Sequence, residues 1–326
     1  MNSGWMHRGL TLAVALTALV APATVAQPYP TRPIELVVHT SAGGGTDLFA
    51  RIVAEIMTRE KLVNQPVNVV NRTGGGGAIA YTYIKTKRGD PHTVMTVATL
   101  ALLTQTLRPE LEISLDHYTP IAFLAQDPQA VMVSADSPHK TFKDLIEASK
   151  RDPSAMVASV TSPGGSGRLL GWLIERATGA RFKAVSFKSG ADAILQVMGN
   201  HTHVTFENIS EGYAAVEARK LRVLAVSSAQ RLPIVPDAPT LRELGVDIHV
   251  GTGRGFVMPA GVPKDAVARM EQVLERVHKS AQWKEHAARN MYENIWMNSA
   301  DYGKHLVQRR AQQQEFLQAV GIIQKP

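Results

Sequence analysis

The chain of 326 residues contains no cysteine. That excludes disulfides, thiolate metal sites and cysteine nucleophiles. A chain this long needs no covalent staples if its core is adequate. Lys and Arg nowhere form a run of five or more, and acids are scattered among them to leave a net charge of +7. This describes a solvated surface that mildly attracts anions, not the concentrated basic stripe of a nucleic-acid binder. Nucleotide fingerprints are missing as well. Gly43 and Gly45 begin a G-x-G-x-x-G, but Leu48 stands where the third glycine belongs, and the P-loop pattern is absent. After residue 26 no apolar run is long enough to cross a bilayer.

What is present begins with an export signal. Residues 1–8 carry Arg8 and no acid, Leu10–Val20 is an apolar core, and small residues follow. This predicts a secretory signal over 1–26, cleaved after Ala26, with Ala23 as the second site. The apolar share, 44%, is ordinary for a globular protein outside a membrane.

The stretch that organises the remainder is 34–57, IELVVHTSAGGGTDLFARIVAEIM. Ile34–Val38 reads as a buried parallel strand. Thr40 to Gly45 form a turn of small residues, and Thr46 and Asp47 open a helix in which Leu48, Ile52 and Ile56 recur at helical spacing. The first N–H groups of a helix lack internal partners and carry partial positive charge, and glycines let a ligand approach them. Such a turn attracts a carboxylate or phosphate. Many strand–helix turns use the same residues only to turn, and that reading stands beside the first.

The pattern repeats. Val67–Val70, a turn through Gly74–Gly77 and the segment from Ala78 form a second strand–turn–helix unit, and Thr93–Ala98 with Thr99 begins a third. This implies an α/β fold with a parallel sheet. Tyr118–Gln126 reads as an extended crossing segment, Val131–Ser134 as a strand and Thr141 as the cap of a helix. Met156–Val160 runs into Thr161-Ser162-Pro163-Gly164-Gly165-Ser166-Gly167 and a helix, echoing the opening turn. Ala184–Phe187, Val204–Phe206 and Leu221–Val226 continue the pattern through a second α/β unit; a short helix is predicted at 240–244, and 264–318 reads as helical with a strand near Asn294–Trp296. Two units, each with a glycine-rich turn at a strand's carboxyl end, suggest a shared cleft.

Several constellations compete for chemistry. Gly164-x-Ser166-x-Arg168 resembles a nucleophile elbow without its last glycine, so an exported serine hydrolase using Ser166 is the alternative from another functional class. His201 and His203 share a strand face with no third metal ligand at suitable spacing. Glu207/Glu211 and Asp116/Asp127 offer no arguable acid–base dyad. Arg254, between two glycines, and Arg168, in the first turn of a helix, are placed either to clamp a carboxylate or to meet solvent. Asp47 is placed either to cap its helix or to bind a ligand amine or hydroxyl.

The residues in order resemble one family. YPTRPIELVVHTSAGGGTDLFAR is similar to the opening of the tripartite tricarboxylate transporter receptors, the Bug-type periplasmic solute-binding proteins. Val69–Gly77 looks like the family's V-E-N-R-P-G-A-G-G, Phe187–Gly190 like Y-K-G-G, and Phe206-Glu207-Asn208 like F-D-N. Leu221–Val226 with Arg231, Pro236, Pro239 and Thr240, and then Pro259-Ala260-Gly261, continue the match. The resemblance implies a two-lobed Venus-flytrap (type II periplasmic binding protein) fold, each lobe a mainly parallel sheet flanked by helices. The first lobe would hold 27–124 and 253–326, and the second 125–252. It also implies a monomeric, non-enzymatic receptor without cofactor or metal, which captures an organic carboxylate for a membrane permease in uptake or signalling. Ligand positions carried over are Ser41, Gly43, Gly44 and Thr46 on one lobe, Thr161, Ser162, Gly165 and Ser166 on the other, and Thr99 and Asn208. His39, Thr40 and Ser41 replace the usual Pro-Phe-Pro, and Gly251–Arg254 replaces an often aromatic stretch. A more polar pocket follows, suited to a di- or tricarboxylate.

Overall fold

The computed structural model describes residues 29–152, 154–187 and 189–324. The predicted signal segment 1–26 and its two candidate cleavage sites lie outside the described residues.

The chain opens with β1 (Ile34–Val38), α1 (Gly45–Arg59), β2 (Val67–Asn71), α2 (Ala78–Thr86), β3 (Thr93–Ala98) and α3 (Thr99–Thr106). β1 lies between β2 and β3 and pairs with both in parallel, as the glycine-turn repeats predict. Both faces of this sheet are covered. Leu36, Val38, Phe49 and Trp283 lie in the core on one side, and Val37, Tyr81, Met95 and Leu103 in the core on the other. In α1 the buried stripe is Phe49, Ala50, Val53, Ile56 and Met57, while Leu48 is exposed. Ile56 is buried as the spacing predicts, but at the start of the helix Phe49 and not Leu48 takes the core.

β4 (Tyr118–Ser134) is one strand of 17 residues, where the sequence suggests a crossing segment and a separate strand. The break suggested by Asp127-Pro128 is a change of partner. Up to Pro128 the strand pairs antiparallel with β9, and from Gln129 it pairs antiparallel with β7 and β8. Proline cannot donate to a ladder, so it suits the residue at which one ladder hands over to the next.

The second sheet forms from α4 (Phe142–Arg151), β5 (Val157–Val160), α5 (Ser166–Thr178), β6 (Lys183–Ser186), α6 (Gly190–Met198), β7 (Val204–Asn208), α7 (Ile209–Glu217) and β8 (Leu221–Val226). β5 pairs in parallel with β6 and β7. The chain then returns through β9 (Gly251–Pro259), α8 (Lys264–Lys279), α9 (Ala281–Arg289), β10 (Glu293–Met297) and α10 (Ser299–Ala319). β9 runs antiparallel to both β3 and β4. The fold is therefore two-lobed and α/β, parallel within β2-β1-β3 and β6-β5-β7 and antiparallel where β4 and β9 join them and where β8 and β10 add to β4. The helix expected at 240–244 is a single turn. Thr240 and Glu243 cap one another, but Gly245 takes a positive φ of 78° and ends it. Among the described residues no helix is long and apolar enough to cross a membrane.

α5 sits so close to β7 that a Cβ at Gly167 would collide with the backbone oxygen of Phe206. Main chain cannot swing aside. Gly167→Ala is expected to destabilise the fold by about 1–3 kcal/mol, the usual cost of overpacking a core, measured as a lower urea midpoint at unchanged m-value.

Candidate functional site

The two glycine-rich turns leave β1 and β5 at their carboxyl ends and open α1 and α5. Each turn uses part of its donor capacity on itself. In the first, the Gly44 N–H donates to the Ser41 carbonyl (3.1 Å) and the Gly43 N–H to Asp47 Oδ2 (2.8 Å). In the second, the Gly165 N–H donates to the Ser162 carbonyl (3.2 Å), and Thr161 donates its N–H and hydroxyl to Glu207 Oε1 (2.5 and 2.7 Å). Neither helix has a side-chain N-cap, so the N–H groups that open α1 at Gly45 and Thr46 and α5 at Ser166 and Gly167 meet no acceptor among the described residues.

Asp47 is not part of a ligand surface. It is fully buried and accepts from Arg51 Nε (2.8 Å), Arg51 Nη2 (3.0 Å), Asn71 Nδ2 (2.8 Å) and the Gly43 N–H. Burial penalises its charge, yet these bonds outweigh burial and hold the carboxyl below its ordinary range. It fastens the turn. Arg168 is a second correction: its guanidinium lies along α5 on Glu175 Oε2 (3.2 and 3.3 Å), because an acid two turns away on the same helix neutralises it. Thr99 is buried too, and its hydroxyl meets that of Tyr302 (3.1 Å). It lines a cavity of about 10 Å³ with Gln126, Leu169 and His305, room for a single water and too small for a solute. Ser41 and Gly43 are exposed on the rim of the first turn, and Gly44 and Ser162 are half-buried.

Arg254 does not reach out to a ligand. It is 2% exposed and donates from Nη2 to Asp127 Oδ2 (2.7 Å) and from Nη1 to Thr46 Oγ1 (3.0 Å), while its Nε has no partner among the described residues. Asp127, 0% exposed, also accepts from Ser210 Oγ (3.1 Å to each oxygen). The pair ties the first turn, the strand β4 and the helix α7 together at one point. The Asp127 carboxyl is pushed up by burial, against the pull of Arg254 and Ser210. His39 packs beside Tyr81 with ring centroids 5.4 Å apart, and burial together with Arg254 lowers its pKa to about 4, so the ring is neutral.

The second turn is anchored where the lobes meet. Thr252 Oγ1 donates to Asn208 Oδ1 (3.1 Å), which leaves the Ser166 hydroxyl as the donor in its 2.8 Å bond to Thr252. Gln129 Nε2 donates to both hydroxyls (3.0 and 3.1 Å), and Asn208 Nδ2 donates to the Asp127 carbonyl (2.8 Å). Ser166 thus spends its proton on a threonine. Its only side-chain partners among the described residues are Thr252 and Gln129, with no histidine to act as base, so the nucleophile-elbow resemblance has no geometric support.

Two acids that the sequence offers as no more than an unarguable dyad, Glu207 and Glu211, stand close to these elements. Glu211 Oε1 lies 3.3 Å, and Arg254 Nη2 2.9 Å, from where a Cβ at Gly45 would be. On the opposite side, a Cβ at Gly190 would collide with Glu211 Oε2 and stand 3.3 Å from Glu207 Oε2. Glycine at 45 lets Glu211 approach the start of α1, and glycine at 190 lets both carboxylates approach the start of α6. Burial, reinforced by Glu211, pushes Glu207 up to about 8, and burial with Asp127 also raises Glu211. The signal for this was the F-E-N triplet at 206–208, which holds glutamate where the family triplet holds aspartate.

Two measurements follow. Arg254→Ala strands a buried Asp127 and is expected to cost about 3–5 kcal/mol; adding Asp127→Asn recovers part of that loss in the same denaturant melts. Glu207 retains its proton in the folded chain up to about pH 8, whereas the unfolded chain releases it near 4.5. The unfolded state then binds fewer protons across that window, so stability falls as pH rises through it. Glu207→Gln is expected to flatten the decline in Tm between pH 5 and pH 8; an unchanged slope would show that the carboxyl titrates normally.

Comparison with known proteins agrees with this architecture. The family model described as "Tripartite tricarboxylate transporter family receptor" matches residues 49–322. Protein BugT of Bordetella pertussis is 27% identical over 286 residues, covering 86% of this chain and 87% of that protein. A TctC solute binding protein from Polaromonas, solved with no ligand, superposes with a TM-score of 0.73 at 29% identity, covering 89% of this chain and 99% of the other. Rpa4515 of R. palustris, solved with adipate, superposes with a TM-score of 0.81 at 25% identity, covering 90% and 98%. With a match from Phe49 to Ile322 and the two-lobed fold around it, the chain belongs to the tripartite tricarboxylate transporter receptor family, whose members are solute-binding proteins and not enzymes.

Proposed function

We propose that this receptor works in the periplasm, captures an organic carboxylate between its lobes and presents it to the permease subunits of a tripartite tricarboxylate transporter. The observation that carries this reading is the pair of open helix starts, at Gly45–Thr46 and Ser166–Gly167, which offer unpaired N–H groups to an anion. The adipate in Rpa4515 supports the same ligand class.

The lobes, divided near 124/125 and 252/253, would move about the point where β4 and β9 cross together, Gln126–Pro128 beside Gly251–Gly253. Ligand bridging the lobes would favour the closed arrangement, which is the form a permease can distinguish from the open one. The polar residues at 39–41 and 251–254, Arg254 among them, carry the expectation of a di- or tricarboxylate. Arg254 is committed to Asp127, so the backbone donors are what recognises the anion.

A thermal-shift screen of mono-, di- and tricarboxylates against their neutral methyl esters tests the class. An acid at a hundred times its Kd should stabilise by about 2.7 kcal/mol by mass action, and its ester should not. Esters that stabilise as well as the acids, or a flat response throughout, would contradict carboxylate capture. Ser166→Ala should weaken binding by about one hydrogen bond, on the order of 1 kcal/mol.

A further inference from the structure

Around Gly45 and Gly190 the carboxylates outnumber the cations. Asp127, Glu207 and Glu211 gather there, and among the described residues one guanidinium, that of Arg254, lies against them. It is bonded to Asp127, so no ion pair forms to Glu207 or Glu211. Glu207 takes two donors from Thr161, both on Oε1, and its Oε2 is turned toward Gly190 and Glu211. A second observation, independent of the acids, points the same way. Gln129 is 0% exposed with its amide against Ser166 and Thr252 of the same wall, and its Oε1 is buried without a donor. A buried acceptor without a donor is costly, and the cost is removed by a ligand that brings one. Metal is not the answer that these residues suit, since no group of three or more His, Asp or Glu among the described residues converges to hold an ion.

We propose that the ligand carries a positively charged nitrogen beside its carboxylate, and that Glu207 and Glu211 receive the nitrogen while the N–H groups opening α1 and α5 receive the carboxylate. This rests on the capture of a carboxylate argued above and narrows it to an amino carboxylate. The groups facing the two glutamates are Thr161, Asp127, Arg254 and, at longer range from Glu211, Tyr292. Arg254 aside, each is an acceptor, a neutral hydroxyl or an acid. A second ligand carboxylate would meet like charge here, whereas an ammonium would displace the Glu207 proton and leave paired charges. Affinity for an amino carboxylate therefore rises from pH 6 to pH 8, and affinity for a dicarboxylate falls.

The test is calorimetric titration of the exported chain with three series of matched chain length: dicarboxylates, amino carboxylates and the corresponding amide carboxylates. The amino series is expected to bind best at neutral pH and to tighten as pH rises. Glu211→Gln, which keeps the size of the side chain and removes only its charge, should weaken the amino series about tenfold or more, as loss of one partner of a charge pair does, and tighten the dicarboxylates. Dicarboxylates binding best and indifferent to Glu211→Gln would overturn the assignment and leave carboxylate capture intact. Amides equal to amines would overturn it as well. Simple alkylamines binding as tightly as amino carboxylates would overturn carboxylate capture while keeping the glutamate pair as the nitrogen site. No binding in any series would overturn both.

Discussion

One buried ion pair sits where everything else meets. Arg254 and Asp127 lie on β9 and β4, the strands common to both lobes, and bond outward to Thr46 at the start of α1 and Ser210 at the start of α7. A buried pair of this kind adds little stability over an apolar substitute, but it is intolerant of losing one member. Its value is positional. Both charges are satisfied only when the first turn, the crossing strands and α7 are in register. The glycines on either side of Arg254 serve the opposite face of β9: a Cβ at Gly253 would strike Thr99 and Phe123, and one at Gly255 would strike the ring of Tyr302.

Around that pair the protein supplies many of its own anions. Asp47 takes a donor from the first turn and Glu207 takes two from the second, so the glycine-rich loops are largely self-satisfied. What stays unpaired among the described residues is the first N–H groups of α1 and α5. A ligand is met by backbone dipoles that need no side chain to move, with the added constraint that two glutamates stand close by. Dipoles already in place cost little to use on binding, and nearby acids decide what else the ligand can carry.

The fold was legible to the extent that local patterns controlled it. Apolar runs of strand length followed by small-residue turns gave β1, β3, β5 and their helices, and the echo at Thr161–Gly167 marked the second lobe. Arg254 stood out as a large charge between two glycines, and it does prove central, though as half of an ion pair. What position in the chain leaves open is settled by partners. Asp47 and Arg168, each at a helix start, and Thr99, carried over from the family resemblance, are held by Asn71, Glu175 and Tyr302, far apart in the chain or on the same helix. Glu207 and Glu211 read as an unremarkable pair, because acids four residues apart on a strand end and a helix start look like ordinary solvated charge until α6 and α1 are brought against them.

The sequence by itself determined the α/β class, the two glycine-rich helix starts and the family, since each depends on short-range periodicity or on motifs in order. Tertiary structure decided the rest: that β4 is one strand shared by two sheets, that Arg254 is spent on Asp127, and that two glutamates converge on Gly45 and Gly190. The reason is electrostatic. Whether a charged side chain is free, paired or neutral depends on groups brought within a few ångströms by folding, and chain spacing carries no record of that distance.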